Sequence, residues 1–160
     1  MTKLLGNWQI ETKLWYIALL RIFFGYYFLR DGLGKLTGGF TSAGVLEKWL
    51  PAKTADAFGW YKPFLTDVVI PHHQLFAGLV TWGMLLAGLA LLCGLLTRPA
   101  ALTGIFLTLN FYLAKGGGSP ATTSDQAFMA GLLVVFLTRA GRSFGVDRLL
   151  ARRHPLSPFW

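Results

Sequence analysis

The chain has 160 residues, of which 54% are apolar and only 14% are charged, and its mean hydropathy is +0.50. Soluble domains carry about 25% charged residues, so this composition excludes an ordinary water-soluble domain and predicts an integral membrane protein. The formal net charge of +8 would suit nucleic-acid binding, but the positive residues stand at the ends of apolar segments and in the C-terminal tail. Membrane topology places them there, so no nucleic-acid partner is expected.

The first predicted span covers residues 14–36 and is apolar apart from Arg21, Arg30, Asp31 and Lys35. No signal-peptide cleavage site follows it, so we expect it to be retained. Charges inside a membrane segment must face protein or water. We interpret Arg21 and Arg30 as structural intramembrane charges, and Asp31 with Lys35 as an i,i+4 pair in the favourable order. The deeper Arg21 would pair with a backbone carbonyl or with an acidic group of another subunit.

A loop of mixed polarity, residues 37–74, follows this span. Within it, residues 45–50 and 55–60 have the pattern of short amphipathic helices that lie on the membrane surface. His72 and His73 stand near the end of the loop, where one imidazole would be placed to ligate haem or chlorophyll in a larger assembly. The simpler interpretation, which we prefer, is a polar start to the next helix.

Residues 75–97 contain neither a charge nor a histidine and are predicted to cross the membrane. Residues 99–115 form the next apolar stretch, and the short connection predicts an antiparallel helical hairpin. The single cysteine, Cys93, is interpreted as a small buried hydrophobe. One cysteine offers neither a disulfide nor a cysteine metal cluster.

The fourth span is predicted over residues 124–139, after a loop rich in Gly, Ser, Thr and Pro. Thr123 and Gln126 fit a capping box that would start this helix. Residues 140–160 form a basic tail. The arginines outside the spans all fall on the side of the two termini, which predicts that both termini are cytoplasmic.

These segments predict an all-α fold, an integral membrane four-helix bundle with a long extracytoplasmic loop that contains short amphipathic helices. The whole chain, residues 1–160, would form one domain. We expect it in the inner membrane of a bacterial or archaeal cell, with the lipid bilayer and other membrane-protein subunits as partners.

Several polar or aromatic residues are predicted to meet at one depth, in the outer half of the bundle, and to bind a ligand. They are Asp31, Lys35, Trp82, Asn110, Asp125 and Gln126. A quinone fits such a site, because its ring stacks on aromatic rings and its carbonyl groups accept hydrogen bonds. The alternative interpretation is that the same residues only bind helices together, as intramembrane polar groups often do. No P-loop, GxSxG, HExxH or GxGxxG motif is present, so neither catalytic residues nor a metal site are indicated.

Several stretches resemble the DoxX-like membrane proteins, in particular the DoxD type, the small subunit of thiosulfate:quinone oxidoreductase. They are residues 20–36, 82–102, 109–114 and 140–150. The resemblance implies a membrane subunit that holds a quinone while a partner protein brings the electron donor. One position departs from the family pattern: Met84 stands where a glutamate is expected after Trp-Gly, so a carboxylate that would accept protons is missing.

Two functions therefore remain open. In the first, the chain is a quinone-linked oxidoreductase subunit with quinone as its cofactor. In the second, it is a non-catalytic accessory subunit of a larger respiratory or photosynthetic membrane complex, and chlorophyll or haem is bound only through that complex. Met84 and the absence of redox cysteines favour the second function.

Overall fold

The computed structural model describes residues 15–41, 45–118 and 120–153. Its α-helices, in chain order, are α1 (Trp15–Thr37), α2 (Val45–Thr54), α3 (Lys62–Phe64), α4 (His73–Cys93), α5 (Thr97–Lys115), α6 (Pro120–Leu137) and α7 (Asp147–Arg153). A π-helical stretch, Leu65–Val69, continues α3, and a 3-10 turn, Ala140–Arg142, precedes α7. Since these described ranges contain no strand, the prediction of an all-α fold is confirmed.

The four long helices pack side by side around an apolar core. α1 packs along α4, α4 along α5 and α5 along α6, while α6 returns to α1. Fully buried apolar side chains between them include Met84, Leu91, Leu132 and Val135. Large apolar residues also cover the outside: Leu86 and Phe106 are each 63% exposed. An outer surface this apolar is suited to contact with lipid rather than water.

Two glycines let α1 and α4 approach each other closely. A Cβ on Gly25 would lie 2.7 Å from the backbone nitrogen of Leu92, and a Cβ on Gly88 would lie 2.6 Å from that of Leu29. Small residues at a helix crossing allow the backbones to touch, and such packing is a main source of helix association in membranes. The α1–α4 contact therefore depends on glycine at these two positions.

We expect Gly88→Ala to lower the unfolding temperature of the detergent-purified chain, because the new methyl group would overlap the backbone of α1. Overpacking of this kind costs about 1–3 kcal/mol. Gly78→Ala in the same helix is the matched control: its Cβ would meet nothing within 4 Å, and alanine has the better helix propensity. Equal unfolding temperatures for the two variants would contradict the close contact at Gly88.

The junction between α4 and α5 lies earlier than predicted. α4 ends at Cys93, Gly94 takes a left-handed conformation with φ of 66°, and α5 begins at Thr97. The predicted span 75–97 therefore extends past the end of α4, because the sequence stays apolar through the turn. Glycine in this conformation is a common end of a helix. Cys93 is exposed, so the prediction that it is buried is wrong.

The start of α6 also differs from its prediction. The helix begins at Pro120 rather than near residue 124. Proline suits the first turn of a helix, because its missing N–H would have no partner there. Thr123 consequently lies inside α6, and the predicted capping box is wrong. At the other end α6 stops at Leu137, before the predicted residue 139.

Residues 45–72, which we call the lid, pack on one end of the long helices. α2 extends beyond the predicted amphipathic helix 45–50, whereas residues 55–61 form turns instead of the predicted helix 55–60. Buried side chains of the lid form a second apolar cluster with Ala77 of α4. The lid therefore covers the ends of the long helices instead of lying apart from them.

Residues 139–153, which we call the collar, fold onto the opposite end of the long helices. The backbone nitrogen of Val146 donates to the oxygen of Cys93 at 3.2 Å, and that of Asp147 donates to the oxygen of Gly94 at 2.8 Å. The predicted tail, residues 140–160, is thus packed as far as residue 153, and its last residues lie outside the described part of the chain.

Length and composition alone mark one helix of the described chain, α4, as able to cross a membrane. α1 has 23 residues but carries Arg21, Arg30, Asp31 and Lys35. The spans predicted over residues 14–36, 99–115 and 124–139 correspond to α1, α5 and α6 in position. That these three helices also cross the membrane remains a prediction.

Candidate functional site

The predicted ligand-binding residues divide into separate groups at the lid end of the molecule. In the first group, Lys35 Nζ donates to Asp31 Oδ2 at 2.5 Å. The same Nζ lies 5.8 Å from the ring centroid of Phe40 and 5.9 Å from that of Phe111. Both distances are within the range of cation–π attraction. The ammonium group is therefore held between one carboxylate and two aromatic rings.

Asn110 binds the lid. The hydroxyl of Tyr61 donates to Asn110 Oδ1 at 2.5 Å, and Asn110 Nδ2 donates to the backbone oxygen of Phe106 at 2.7 Å. Burial raises the pKa of the Tyr61 phenol, so this hydroxyl remains protonated and able to donate at neutral pH. This hydrogen bond links the lid to α5 at Asn110, the residue next to Phe111.

Asp125 and Gln126 form a second group, which joins α5 to α6. Lys115 Nζ lies 2.8 Å from Asp125 Oδ2, and the Asp125 side chain is only 13% exposed. Gln126 Nε2 donates to the hydroxyl of Tyr112 at 3.4 Å. These contacts match the alternative interpretation of the polar residues, in which they hold helices together.

Trp82 lies outside both groups, because 56% of its surface is exposed on the outer face of α4. The neighbouring Thr81 is fully buried instead, and its hydroxyl has no hydrogen-bond partner among the described residues. α1 and α4 run antiparallel with Gly32 against Leu85, so Thr81 is at the level of Lys35. No pattern in the sequence singles out Thr81, since one threonine in an apolar run becomes informative only when its orientation is known.

His72 and His73 lie at the start of α4. Their Nδ1 atoms are 3.0 and 3.1 Å from backbone carbonyl oxygens of the preceding turn. His73 Nε2 is 3.6 Å from Glu47 Oε2, which links α4 to α2. An open depression of about 410 Å³ is lined by residues 71–75. Across the described ranges no group of three or more His, Cys, Asp or Glu side chains is placed to hold a metal ion.

A third polar cluster lies at the collar end and was missed by sequence reasoning. Its centre is Asp147, which is fully buried. Asp147 Oδ1 accepts a hydrogen bond from the backbone nitrogen of Leu96 at 2.7 Å, and Oδ2 accepts one from that of Thr97 at 2.9 Å. These nitrogens begin α5, where backbone N–H groups lack partners and the helix dipole favours a negative charge. Asp147 therefore caps α5 from a distant part of the chain.

Arg21 holds the loop that precedes Asp147. The side chain is 1% exposed, and its Nη2 donates to the backbone oxygen of Phe144 at 3.1 Å. Arg21 was predicted to pair with a backbone carbonyl or with an acidic group of another subunit, and the structure contains the backbone carbonyl. Phe144 has φ of 54°, a left-handed conformation that costs a non-glycine residue about 1–2 kcal/mol. The Arg21 hydrogen bond therefore stabilises a strained turn.

Glycines make room for this Arg21–Asp147 cluster. A Cβ on Gly94 or Gly145 would overlap the Arg21 guanidinium, and a Cβ on Gly141 would overlap the Asp147 carboxylate. A sequence signal for the cluster did exist: residues 141–147 place two glycines and one acidic residue inside a basic segment. We did not expect the acidic residue to be buried, because it stands in a tail that looked exposed.

Arg30 differs from Arg21. It is exposed on the outward face of α1, in line with Tyr26 and Tyr27, which are 59% and 44% exposed. The interpretation of Arg30 as a structural intramembrane charge remains a prediction. A long arginine side chain near the end of a helix can reach the interface with its charge while its stem stays among apolar groups.

A model of the DoxX family matches residues 16–115, which is more than half of the chain. The chain belongs to the DoxX family. Members of this family are membrane proteins, in agreement with the apolar composition and with α4. Comparison with curated proteins and with solved structures gave no significant match. The part that matches DoxX contains Arg21, Lys35 and Asn110 and stops at the end of α5, before Asp147.

Proposed function

We propose that this DoxX protein is a membrane subunit of a quinone-linked oxidoreductase and that it holds the quinone headgroup beside Lys35, under the lid. One observation carries the proposal: Lys35 Nζ lies between the rings of Phe40 and Phe111, 5.8 and 5.9 Å from their centroids. An ammonium group has three donors and Asp31 accepts only one of them. A donor that remains available between two aromatic rings suits a quinone carbonyl.

The other groups at this level suit the rest of the headgroup. The quinone ring would stack on Phe40 or Phe111, since aromatic rings favour offset or edge contacts. The buried hydroxyl of Thr81 lacks a partner among the described residues and would donate to the second carbonyl. The apolar outer face of α4, where Leu79 is 61% exposed, would take the isoprenoid tail.

Reduction of a quinone to a quinol takes two electrons and two protons. The electrons must come from the donor that a partner subunit oxidises, since Cys93 is the single cysteine of the chain. Met84, in place of the expected glutamate, is 2% exposed and cannot exchange protons. Asp31 is bonded to Lys35, and its side chain is 46% exposed. We assign to Asp31 the transfer of protons between solvent and the quinone.

The proposal includes four membrane-crossing helices, α1, α4, α5 and α6, with the lid outside and both termini in the cytoplasm of a bacterial or archaeal cell. These helices have 23, 21, 19 and 18 residues, close to the length of about 20 residues that a helix needs to cross a bilayer. The arginines outside α1 gather at the collar end, as the positive-inside rule expects of a cytoplasmic side.

We expect Lys35→Ala to raise the dissociation constant of a short-chain quinone at least about tenfold. A hydrogen bond to a charged group contributes about 1.5–3 kcal/mol, and tenfold corresponds to about 1.4 kcal/mol. Binding is measured in mild detergent by the quenching of tryptophan fluorescence. Lys48→Ala is the matched control, because it removes the same charge from an exposed position of the lid. Unchanged affinity in Lys35→Ala would contradict the proposed site.

A second function, that of an accessory subunit, is supported by the outward face of α1. Arg30, Tyr26 and Tyr27 are exposed there within a segment that we propose to be membrane-spanning. Polar groups at this depth usually meet protein rather than lipid. A chain that migrates alone on a native gel after mild solubilisation would rule out this function, whereas it would leave quinone binding intact.

A further inference from the structure

The collar lies at the end of the helix that is most clearly able to cross the membrane. Val146 and Asp147 donate backbone hydrogen bonds to Cys93 and Gly94, at the C-terminal end of α4. α4 is 21 residues long and apolar enough to cross a bilayer, so in a membrane its last residue would stand at the boundary between hydrocarbon and headgroups. The collar would then lie at the depth of the lipid headgroups.

The charge that the collar presents is positive. It contains five arginines and a single acidic residue, Asp147. The Asp147 carboxylate is fully buried, and both of its oxygens accept backbone hydrogen bonds at the start of α5. The exposed arginines are Arg139, Arg148, Arg152 and Arg153. No carboxylate of the collar is thus accessible to offset these cations.

Large apolar side chains stand between the arginines. Phe144 is 74% exposed and Leu149 is 61% exposed, and Leu137 at the end of α6 is 66% exposed. These apolar residues would be unfavourable in contact with water, but at this depth they can reach the acyl chains. Arginines interleaved with large apolar residues are typical of segments that lie in a membrane interface.

The buried Arg21–Asp147 cluster fixes the collar in place. Arg21 binds the backbone of the left-handed turn that carries Phe144, and Asp147 binds the nitrogen of Leu96, another left-handed residue. Arg139 is left-handed as well, with φ of 50°. Because the backbone is constrained at these points, the arginines occupy set positions, and binding loses less conformational entropy than it would on a loose tail.

We infer that the collar is a binding site for anionic phospholipids. The phosphate groups pair with the exposed arginines, whose guanidinium groups match phosphate geometry, while Phe144 and Leu149 enter the acyl region. This inference does not depend on quinone binding, since it involves the opposite end of the molecule. The burial of Asp147 also favours this binding, because a carboxylate left at the surface would repel the same lipids.

The test measures lipid retention by native mass spectrometry of the full chain, released from mixed micelles of phosphatidylglycerol and phosphatidylcholine with the same acyl chains. We expect the wild-type chain to retain phosphatidylglycerol at least fivefold over phosphatidylcholine. Arg148→Gln combined with Arg152→Gln should reduce this ratio to near one. Lys48→Gln combined with Lys62→Gln, at the lid end, is the matched control and should leave the ratio unchanged.

A wild-type chain without preference for phosphatidylglycerol would overturn the inference. An equal loss of preference in the collar and lid variants would overturn it too, since overall charge rather than the collar would then be responsible. Displacement of phosphatidylglycerol by millimolar inorganic phosphate would also contradict it, because phosphate alone would then account for the binding without the apolar contacts of Phe144 and Leu149.

Discussion

Asp147→Ala is expected to lower the stability of the folded chain by about 1–3 kcal/mol, the usual cost of leaving a buried backbone donor without its acceptor. The substitution leaves the backbone nitrogens of Leu96 and Thr97 without their acceptor. It also removes the negative charge that stabilises the buried Arg21 guanidinium. Thr97 and Arg21 are both fully buried, so water cannot replace the missing carboxylate there without cost.

The measurement is unfolding of the detergent-purified chain in sodium dodecyl sulfate, followed by circular dichroism. Asp67→Ala is the control, because Asp67 is an exposed acidic residue of the lid and its loss should change stability by less than about 0.5 kcal/mol. Equal stability of the two single variants would contradict the role of Asp147.

Gly94→Ala is expected to lower the free energy of unfolding by more than its backbone conformation alone explains. A left-handed conformation costs a residue with a Cβ about 1–2 kcal/mol. Gly94 has φ of 66° at the end of α4. The added carbon would overlap Arg21 Nη1 and would lie 2.6 Å from the Cα of Gly145. Neither neighbour can move easily, because Arg21 is buried and bonded to Phe144. The loss of stability is measured by the same unfolding in sodium dodecyl sulfate.

Two further variants separate strain from steric overlap at Gly94. Gly59→Ala is the control, since a Cβ at Gly59 would meet nothing within 4 Å and its φ is not left-handed. Gly94→Asn removes much of the conformational penalty, because asparagine tolerates left-handed backbone, but it keeps the overlap with Arg21. We expect Gly94→Asn to remain clearly destabilised. Wild-type stability in that variant would mean that the loop beside Arg21 has room for a side chain.

The positions of the long helices could be predicted because each must present apolar residues over most of its length. The first span, predicted over residues 14–36, differs by one residue from α1, Trp15–Thr37, at its C-terminal end. The α4–α5 junction could not be predicted from hydropathy, since Leu95 and Leu96 continue the apolar run through the turn. Gly94 was the one local sign that the helix ends there.

The candidate site could be predicted only where its contacts are local. The Asp31–Lys35 pair follows from i,i+4 spacing on one helix, and the structure contains it. Tyr61 and Asn110 are 49 residues apart, and nothing in their local sequence indicates that they meet. The capping of α5 by Asp147 likewise depends on packing between distant segments. Such pairs are selected by the tertiary fold, which periodicity does not encode.

The most direct test of the proposed function is mass spectrometry of the lipids extracted from the chain after purification from its own membrane in mild detergent. We expect about one quinone per wild-type chain, and a strong loss of it in Lys35→Ala but not in Lys48→Ala. A folded wild-type chain that carries no quinone, or a Lys35→Ala chain that keeps its full amount, would contradict the proposal that this DoxX protein holds a quinone beneath its lid.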